Sequence, residues 1–202
     1  MSNVTQPFGL RPVRYMDGTP WNGATVKMWV DDGYATALYV GDAVTYSATA
    51  ADKLASAKYP TVIQASAGTT NIIKGVIVSF DPDPTNLERT YRAASTSRFA
   101  NVVIPTPYLV FQVRDDGGGT PAATFPMGNA NFEVGTGSTV TGLSGFALDF
   151  SAAAPTTTQA HQAHILGLSD LEDNELGDYA IWDVIINTCQ NATGIFLGVT
   201  GA

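Results

Sequence analysis

Short apolar runs separated by glycine, proline and aspartate recur along the whole chain. The two strongest, residues 72–80 and 179–187, are rich in β-branched residues, and the second has one wholly apolar face that includes Trp182. Weaker runs predict strands at residues 25–30, 38–46, 59–64, 98–104, 108–114, 131–134, 146–150 and 195–199, and residues 164–168 are a short apolar piece. Only residues 50–57 favour a helix, and a helix that short is marginal in water. The pattern predicts an all-β fold, a sandwich or barrel of many short strands with little helix, and it shows no internal repeat of fixed period.

The first fourteen residues do not fit this pattern. Pro7 and Pro12 lack an N–H and hold the preceding residues extended. The segment nevertheless carries apolar and cationic side chains, which disordered ends rarely do: Phe8, Leu10, Val13, Arg11 and Arg14. We therefore expect an extended N-terminal arm over residues 1–22, lying on this protein or on a neighbour, and a β-rich domain over 23–202. The glycine run after Asp116 suggests an internal boundary near 115–121.

Charge is scarce and unevenly distributed. Charged residues make up 14% of the chain, whereas about 25% is typical of globular domains. Two interpretations stay open: a surface largely covered in an assembly, or a neutral surface rich in alanine and threonine. Residues 1–114 hold all ten bases and eight acids, net +2, whereas residues 115–202 hold ten acids and no base, net −10. A basic half this dilute does not favour nucleic-acid binding.

The single cysteine, Cys189, excludes an internal disulfide and is expected to be a small buried residue, since it follows an apolar run. The N-terminus lacks the features of a signal peptide, and no stretch reaches the ~18–20 apolar residues of a membrane helix. We therefore expect a protein that stays in a cytosol-like compartment, or is assembled there into something larger, without a membrane partner.

Residues 169–178 are the densest acidic stretch, with five carboxylates. They could supply oxygens to a cation such as Ca²⁺ or face a partner, but their spacing is not that of an EF-hand, and a solvated loop is the simplest interpretation. His161 and His164 have a spacing that zinc pairs use, yet no second pair or cysteine pair accompanies them. We expect surface or interface histidines there.

No pattern indicates an enzyme. The stretch Gly142-Leu143-Ser144-Gly145 is one residue short of a nucleophile elbow, and the glycines at 117–119 are not followed by the lysine and helix of a phosphate loop. We expect no catalytic residue, metal or cofactor. Among the tryptophans, Trp182 is expected in the core, Trp29 fits either place, and Trp21 is expected at a contact surface, where aromatic residues concentrate binding energy.

The opening Gln6-Pro7-Phe8-Gly9-Leu10-Arg11-Pro12-Val13-Arg14, followed by Asp17-Gly18, Pro20 and Trp21-Asn22-Gly23, resembles a family of tailed-bacteriophage structural proteins, the capsid decoration, cement or minor head proteins. The later layout is also similar, with Gly41-Asp42, the strand at 72–80, and an acidic run before the strand at 179–187. The resemblance implies a non-catalytic virion protein, usually trimeric, on the outer capsid and assembled in the host cytoplasm.

Together these features predict an arm that binds the major capsid protein or a sister subunit and strengthens the joints between capsid subunits. The residues expected to make that contact are Phe8, Leu10, Arg11, Val13, Arg14 and Trp21. Two alternatives stay open. One is a tail- or fibre-associated adhesin that binds carbohydrate through Trp21 or Trp29. The other is a Ca²⁺-assisted glycan hydrolase that uses Asp170, Asp173 or Glu175.

Overall fold

A computed structural model describes residues 3–47, 58–189 and 192–193. They form the strands β1 Arg11–Tyr15, β2 Val26–Val30, β3 Ala43–Tyr46, β4 Val62–Gln64, β5 Gly75–Phe80, β6 Arg98–Val103, β7 Leu109–Arg114, β8 Asn129–Gly135, β9 Gly145–Asp149, β10 Ala163–Leu168, β11 Ile181–Ile186, β12 Thr188–Cys189 and β13 Ala192–Thr193. The described residues contain no helix, so the predicted all-β class is confirmed. The helix predicted at 50–57 and the strand predicted at 195–199 lie outside them.

The strands pair into two antiparallel sheets and a small ribbon of β12 and β13. One sheet has five strands in the order β2-β6-β5-β3-β4, and the other has six in the order β1-β7-β11-β10-β8-β9. Residues 26–103, which supply the first sheet, are called here the first unit. Residues 109–186, which supply the second sheet apart from β1, are called the second unit.

We number the five strands of each unit in chain order. In both units the sheet curls until the first and third strands meet. In the first unit a parallel bridge joins Trp29 of β2 to Thr61, which immediately precedes β4. In the second unit a parallel bridge joins Asp115, just after β7, to Leu148 of β9, and the Asp116 N–H donates to the Leu148 carbonyl at 2.9 Å. Both units are therefore small five-stranded barrels, each closed by one parallel contact.

The two units have the same topology. In each, the first strand lies beside the fifth, the fifth beside the fourth, the fourth beside the second, and the second beside the third. The register matches as well. The pairing of the fourth strand with the fifth shifts by one residue after Ile77 in β5 and after Ile165 in β10, and these two isoleucines pair with Val102 and Val184. The chain is thus a structural repeat, although its sequence shows no repeat of fixed period.

Different side chains fill the two barrels. The first core is aliphatic: Met28, Val30, Leu38, Val44, Val62, Ile77, Ala100 and Val102. The second core contains Phe111, Phe132, Phe146, Phe150 and Trp182, and it extends onto the outer face of the first sheet through Ala43, Val76 and Val103. The cross-strand pair Met28–Ala100 corresponds to Val113–Trp182, so a large residue stands opposite a small one in both units, with the sides exchanged.

The chain passes from one unit to the other at residues 104–108. The loop at 115–121, where the sequence suggested an internal boundary, joins β7 to β8 inside the second unit. Its glycines permit close packing, since Gly117 has φ +70° and a Cβ there would lie 2.1 Å from the Tyr179 ring. The glycine run therefore marks a tight turn within a barrel, and the boundary is corrected to 104–108.

Candidate functional site

The N-terminal segment is attached to its own chain from Asn3 onward. The Asn3 amide donates to the carbonyls of Glu175 and Asp178 at 2.9 and 3.0 Å, and the Leu10 N–H donates to the Gly41 carbonyl at 2.9 Å. Strand β1 then pairs with β7 at the edge of the six-stranded sheet. The sequence left open whether the extended segment lies on this protein or on a neighbour. In the structure it is a strap across both units of its own chain, and its Leu10 belongs to the protein's own core.

Two glycines bring the strap onto the first unit. Gly9 and Gly41 have φ of +74° and +94°, and a Cβ on Gly9 would lie 2.6 Å from the Gly41 carbonyl oxygen and from Ser144 Cβ. Beside them, buried Asp42 accepts hydrogen bonds from the Ser144 hydroxyl and from the Tyr39 N–H. Burial raises the pKa of Asp42 to about 6. Since Ser144 immediately precedes β9, this contact joins the strap to both units.

Leu10 and Phe8, two of the apolar contact residues predicted from the strap, lie in different surroundings. Leu10 is 1% exposed and belongs to the second core, so it is not available to a partner. Phe8 is half-buried, with the guanidinium groups of Arg11 and Arg114 at 5.0 and 5.8 Å from its ring centre. Such cation–π contacts fix the ring against the protein's own surface. The expectation of a partner contact is therefore corrected for Leu10.

The two strap arginines bind groups of the second unit. An Arg11 N–H donates to Gln112 Oε1 at 2.6 Å, and Arg14 forms an ion pair with Asp183 at 2.9 Å. Val13 between them is half-buried, and its carbonyl accepts the Trp21 N–H at 3.1 Å. The same chain therefore supplies a carboxylate partner for Arg14.

Trp21 lies between two hollows. One, of about 400 Å³, is lined by Phe8, Leu10, Trp21, Val40, Val78 and Leu143 among others. The second, of about 210 Å³, is lined by Tyr15, Trp21, Val26, Ile104 and Leu109 among others. None of the described residues that line either hollow carries a carboxylate.

Val26, which lines the second hollow, is an exposed apolar residue, and so are Met16 and Tyr108, which are each next in sequence to a lining residue. Tyr108 is 65% exposed, Val26 46% and Met16 45%, and the Met16 N–H donates to the Tyr108 carbonyl at 2.8 Å. We call Met16, Trp21, Val26 and Tyr108 the apolar face. Sequence reasoning identified only Trp21 of the four, since Met16 and Tyr108, for example, become neighbours only when β1 pairs with β7.

The acidic stretch forms an exposed loop between β10 and β11. Asn174 organises it: its amide donates to the Ser169 and Ile181 carbonyls at 2.8 Å, and its Oδ1 accepts the Ile181 N–H. Across the described ranges, no group of three or more His, Cys, Asp or Glu side chains could hold a metal ion.

The two histidines both contact Asn129 but differ in burial. His164 is 2% exposed and its Nδ1 lies 2.7 Å from Asn129 Oδ1, while His161 Nδ1 lies 3.2 Å from the Asn129 carbonyl oxygen. Burial lowers the pKa of His164. The surface or interface role expected of these histidines is thus corrected for His164, which is part of the packed interior.

The remaining candidate residues are mostly buried. Cys189 and Trp182 are both 0% exposed, as predicted. Trp29 is half-buried and packs edge-on against Phe99 with ring centres 4.6 Å apart. Ser144 is 1% exposed, so its hydroxyl is not accessible to a substrate.

The described segments contain no helix long and apolar enough to cross a membrane. Comparison of the chain with protein-family models, with curated proteins and with solved structures found no match.

Proposed function

We propose that this protein is a structural, non-catalytic component of a tailed-phage virion. It is a capsid decoration or cement protein that binds the major capsid protein on the outer capsid surface, as a homotrimer, and stabilises the joints between capsid subunits. It is assembled in the host cytoplasm and stays with the virion. The proposal takes its protein class from the opening sequence motif and its binding surface from the fold.

The observation that carries the proposal is the apolar face. Met16, Val26 and Tyr108 expose between 45% and 65% of their surface, and Val26 lines one hollow together with the half-buried Trp21. Aromatic residues and methionine are enriched in protein–protein interfaces, and exposed apolar residues gathered in one place mark contact surfaces. A binding surface of this composition suits a protein that acts by covering its partner.

The position of the strap changes which residues do the binding. Leu10, Arg11 and Arg14 contact the protein's own chain, and their role is to hold the face in place. The binding role passes to Trp21 and the three exposed residues beside it. Phe8 and Val13, both half-buried, support the strap.

Capsid binding tests the proposal. The double variant Met16→Ala/Tyr108→Ala removes apolar area from the face, and truncating a tyrosine that is a hot spot of an interface costs about 2 kcal/mol or more. We expect its affinity for undecorated capsids to fall at least about tenfold. Co-sedimentation of purified protein with capsids measures this, and heat release of the packaged genome reports the loss of stabilisation.

The matched control is Leu87→Ala/Val140→Ala. These residues are 79% and 92% exposed and lie outside the apolar face, so this pair removes comparable area with no expected loss of capsid binding. Equal capsid affinity of the two double variants would overturn the proposed surface. If the unaltered protein does not bind capsids at all, the proposed function is wrong.

The adhesin alternative requires Trp21 or Trp29 to be available to carbohydrate, with carboxylates nearby to bind sugar hydroxyls. Trp29 packs on Phe99, and no described residue lining the hollows beside Trp21 is acidic. The hollows therefore lack the carboxylates that would bind sugar hydroxyls, and no observation favours carbohydrate as the ligand.

A further inference from the structure

The repeat gives equivalent strand edges in the two units, and they differ in one respect. In the second unit, β1 pairs with residues 109–112 at the start of β7. Met28 and Val113 occupy equivalent positions in the two units, so Lys27 is equivalent to Gln112. Residues 24–27 of the first unit are therefore equivalent to the covered residues 109–112. The first unit thus has the same strand edge without a strand added to it.

The backbone groups of this edge point outward. The Trp29 N–H faces away from β6, since it donates to the Pro60 carbonyl at 2.9 Å. Successive N–H groups of a strand alternate in direction, so those of Thr25 and Lys27 face the same way. No backbone hydrogen bond within the described ranges engages either residue on that side, and residues 22–27 are all exposed.

Apolar surface lies directly beside this open edge. Ala24, Thr25 and Val26 line the hollow of about 210 Å³ that also contains Trp21. A strand added along residues 24–27 would complete its backbone hydrogen bonds on the edge and place apolar side chains against this hollow. Recognition of extended peptides by sheet edges works in this way, with the backbone giving affinity and adjacent pockets giving specificity.

The charges on the two edges differ and define the strand that fits. In the second unit, Arg11 of β1 stands opposite Gln112 and donates to its side chain at 2.6 Å. In the first unit the equivalent residue is Lys27, whose ammonium lies 2.7 Å from Asp81. An arginine opposite Lys27 would place two cations together, whereas a carboxylate there would be attracted. The edge therefore disfavours β1 of a second copy and favours an acidic strand.

We propose that residues 24–27 accept an added β-strand from a different protein chain, with a carboxylate opposite Lys27 and apolar residues next to it. This proposal deepens the proposed function. Only the identification of the added chain as a capsid protein rests on the proposed function. The inference of a strand-accepting edge itself rests on the repeat and on the difference in charge between the equivalent residues Lys27 and Gln112.

Two synthetic peptides test the edge without any capsid. The first copies residues 9–16 with capped ends, and the second is the same peptide with Arg11→Glu and Arg14→Glu. We expect the acidic peptide to bind at least about tenfold more tightly at low salt, because it replaces repulsion at Lys27 with attraction. Titration of ¹⁵N-labelled protein measures both affinities, with the largest shifts at the amides of Thr25 and Lys27.

Variants of the protein identify the site. Thr25→Pro removes one outward N–H that the added strand would use, and it is expected to abolish peptide binding. The β2–β6 ladder should persist, because that N–H takes no part in it. Lys27→Glu is expected to reverse the preference, so that the arginine peptide binds more tightly. Lys74→Glu is the matched control. Lys74 lies just before β5, with its ammonium over the Tyr46 ring and away from the β2 edge, so this change should leave the preference unchanged.

The proposal would be overturned by equal affinity for the two peptides, by binding that survives Thr25→Pro, or by no binding of either peptide. Self-association that Thr25→Pro abolishes would also overturn it, since a second copy would then occupy the edge. Peptide binding without capsid binding would support the edge and remove the capsid protein as its partner, so the two proposals fail separately.

Discussion

The two units have one topology and fill it differently. The first has a small aliphatic core and an open edge at the start of β2, whereas the second has an aromatic core and an edge covered by β1. Their shared features are the strand order, the register shift in the fourth strand and the closing parallel contact. Such a barrel therefore depends on which positions face inward and on the total volume they fill, and individual residues are free to change.

The second unit also holds the molecule together. Its core includes Leu10 of the strap and outer residues of the first sheet. Since apolar contacts cross between the units, we expect them to unfold together. The following changes test this difference between the units, from the largest expected effect to the smallest.

Trp182→Ala places in the second core the same residue that stands at the equivalent position of the first core, Ala100. We expect a loss of about 3–5 kcal/mol in the free energy of unfolding, because Val113 is too small to fill the space as Met28 does. Urea unfolding followed by far-UV circular dichroism measures it. Adding Val113→Met should recover part of the loss, and no recovery would contradict the equivalence of the two pairs.

Gly9→Ala tests the strap. We expect a loss of about 2–4 kcal/mol, because the methyl group would clash with Gly41 and Ser144 at a left-handed φ. Gly18→Ala is the control, since Gly18 has φ +88° with nothing within 4 Å, and should cost about 1 kcal/mol. Equal losses in urea unfolding would mean that the strap does not pack on the first unit as described.

Asp42 makes the contact between strap and units sensitive to pH. Its folded pKa of about 6 lies above the ordinary value of 3.8, so the folded protein binds the proton more tightly than the unfolded chain. Its contribution to stability therefore rises as pH falls from above 6 towards 4, by on the order of 2–3 kcal/mol. Asp42→Asn should remove this gain when unfolding at pH 7.5 and pH 5 is compared, whereas exposed Asp17→Asn should not.

The ion pair between Arg14 and Asp183 should contribute least. Arg14 is 40% exposed at its side chain, and pairs of this kind are worth about 0–1 kcal/mol. A double-mutant cycle with Arg14→Ala and Asp183→Ala should give a coupling energy below about 1 kcal/mol that falls further in 1 M salt. A coupling above about 2 kcal/mol would show that β1 is held by charge more than by its apolar residues.

The fold class and most strands could be predicted from local pattern. The runs at 98–104 and 108–114 correspond to β6 and β7, and the run at 179–187 contains β11. These strands are apolar on at least one face, so period and β-branched content identify them. The core positions of Trp182 and Cys189 followed from the same pattern.

The strap and the repeat could not be predicted in this way. Strand β1 contains Pro12 and lacks alternation, and it is a strand only because β7 offers it an edge. The repeat is hidden because equivalent residues such as Ala100 and Trp182 differ in size and chemistry. Pairing between distant strands is a property of the whole chain, and local periodicity carries no information about it.

The most direct test of the account is amide hydrogen exchange at the two equivalent edges. Alternation along β7 directs the N–H groups of Val110 and Gln112 towards β1, since that of Asp115 points to β11. We predict that these two amides exchange at least about a hundredfold more slowly than those of Thr25 and Lys27, while the ladder amides of Met28 and Val113 are both protected. Equal exchange at the two edges would contradict the claim that β1 covers one edge and leaves the other open.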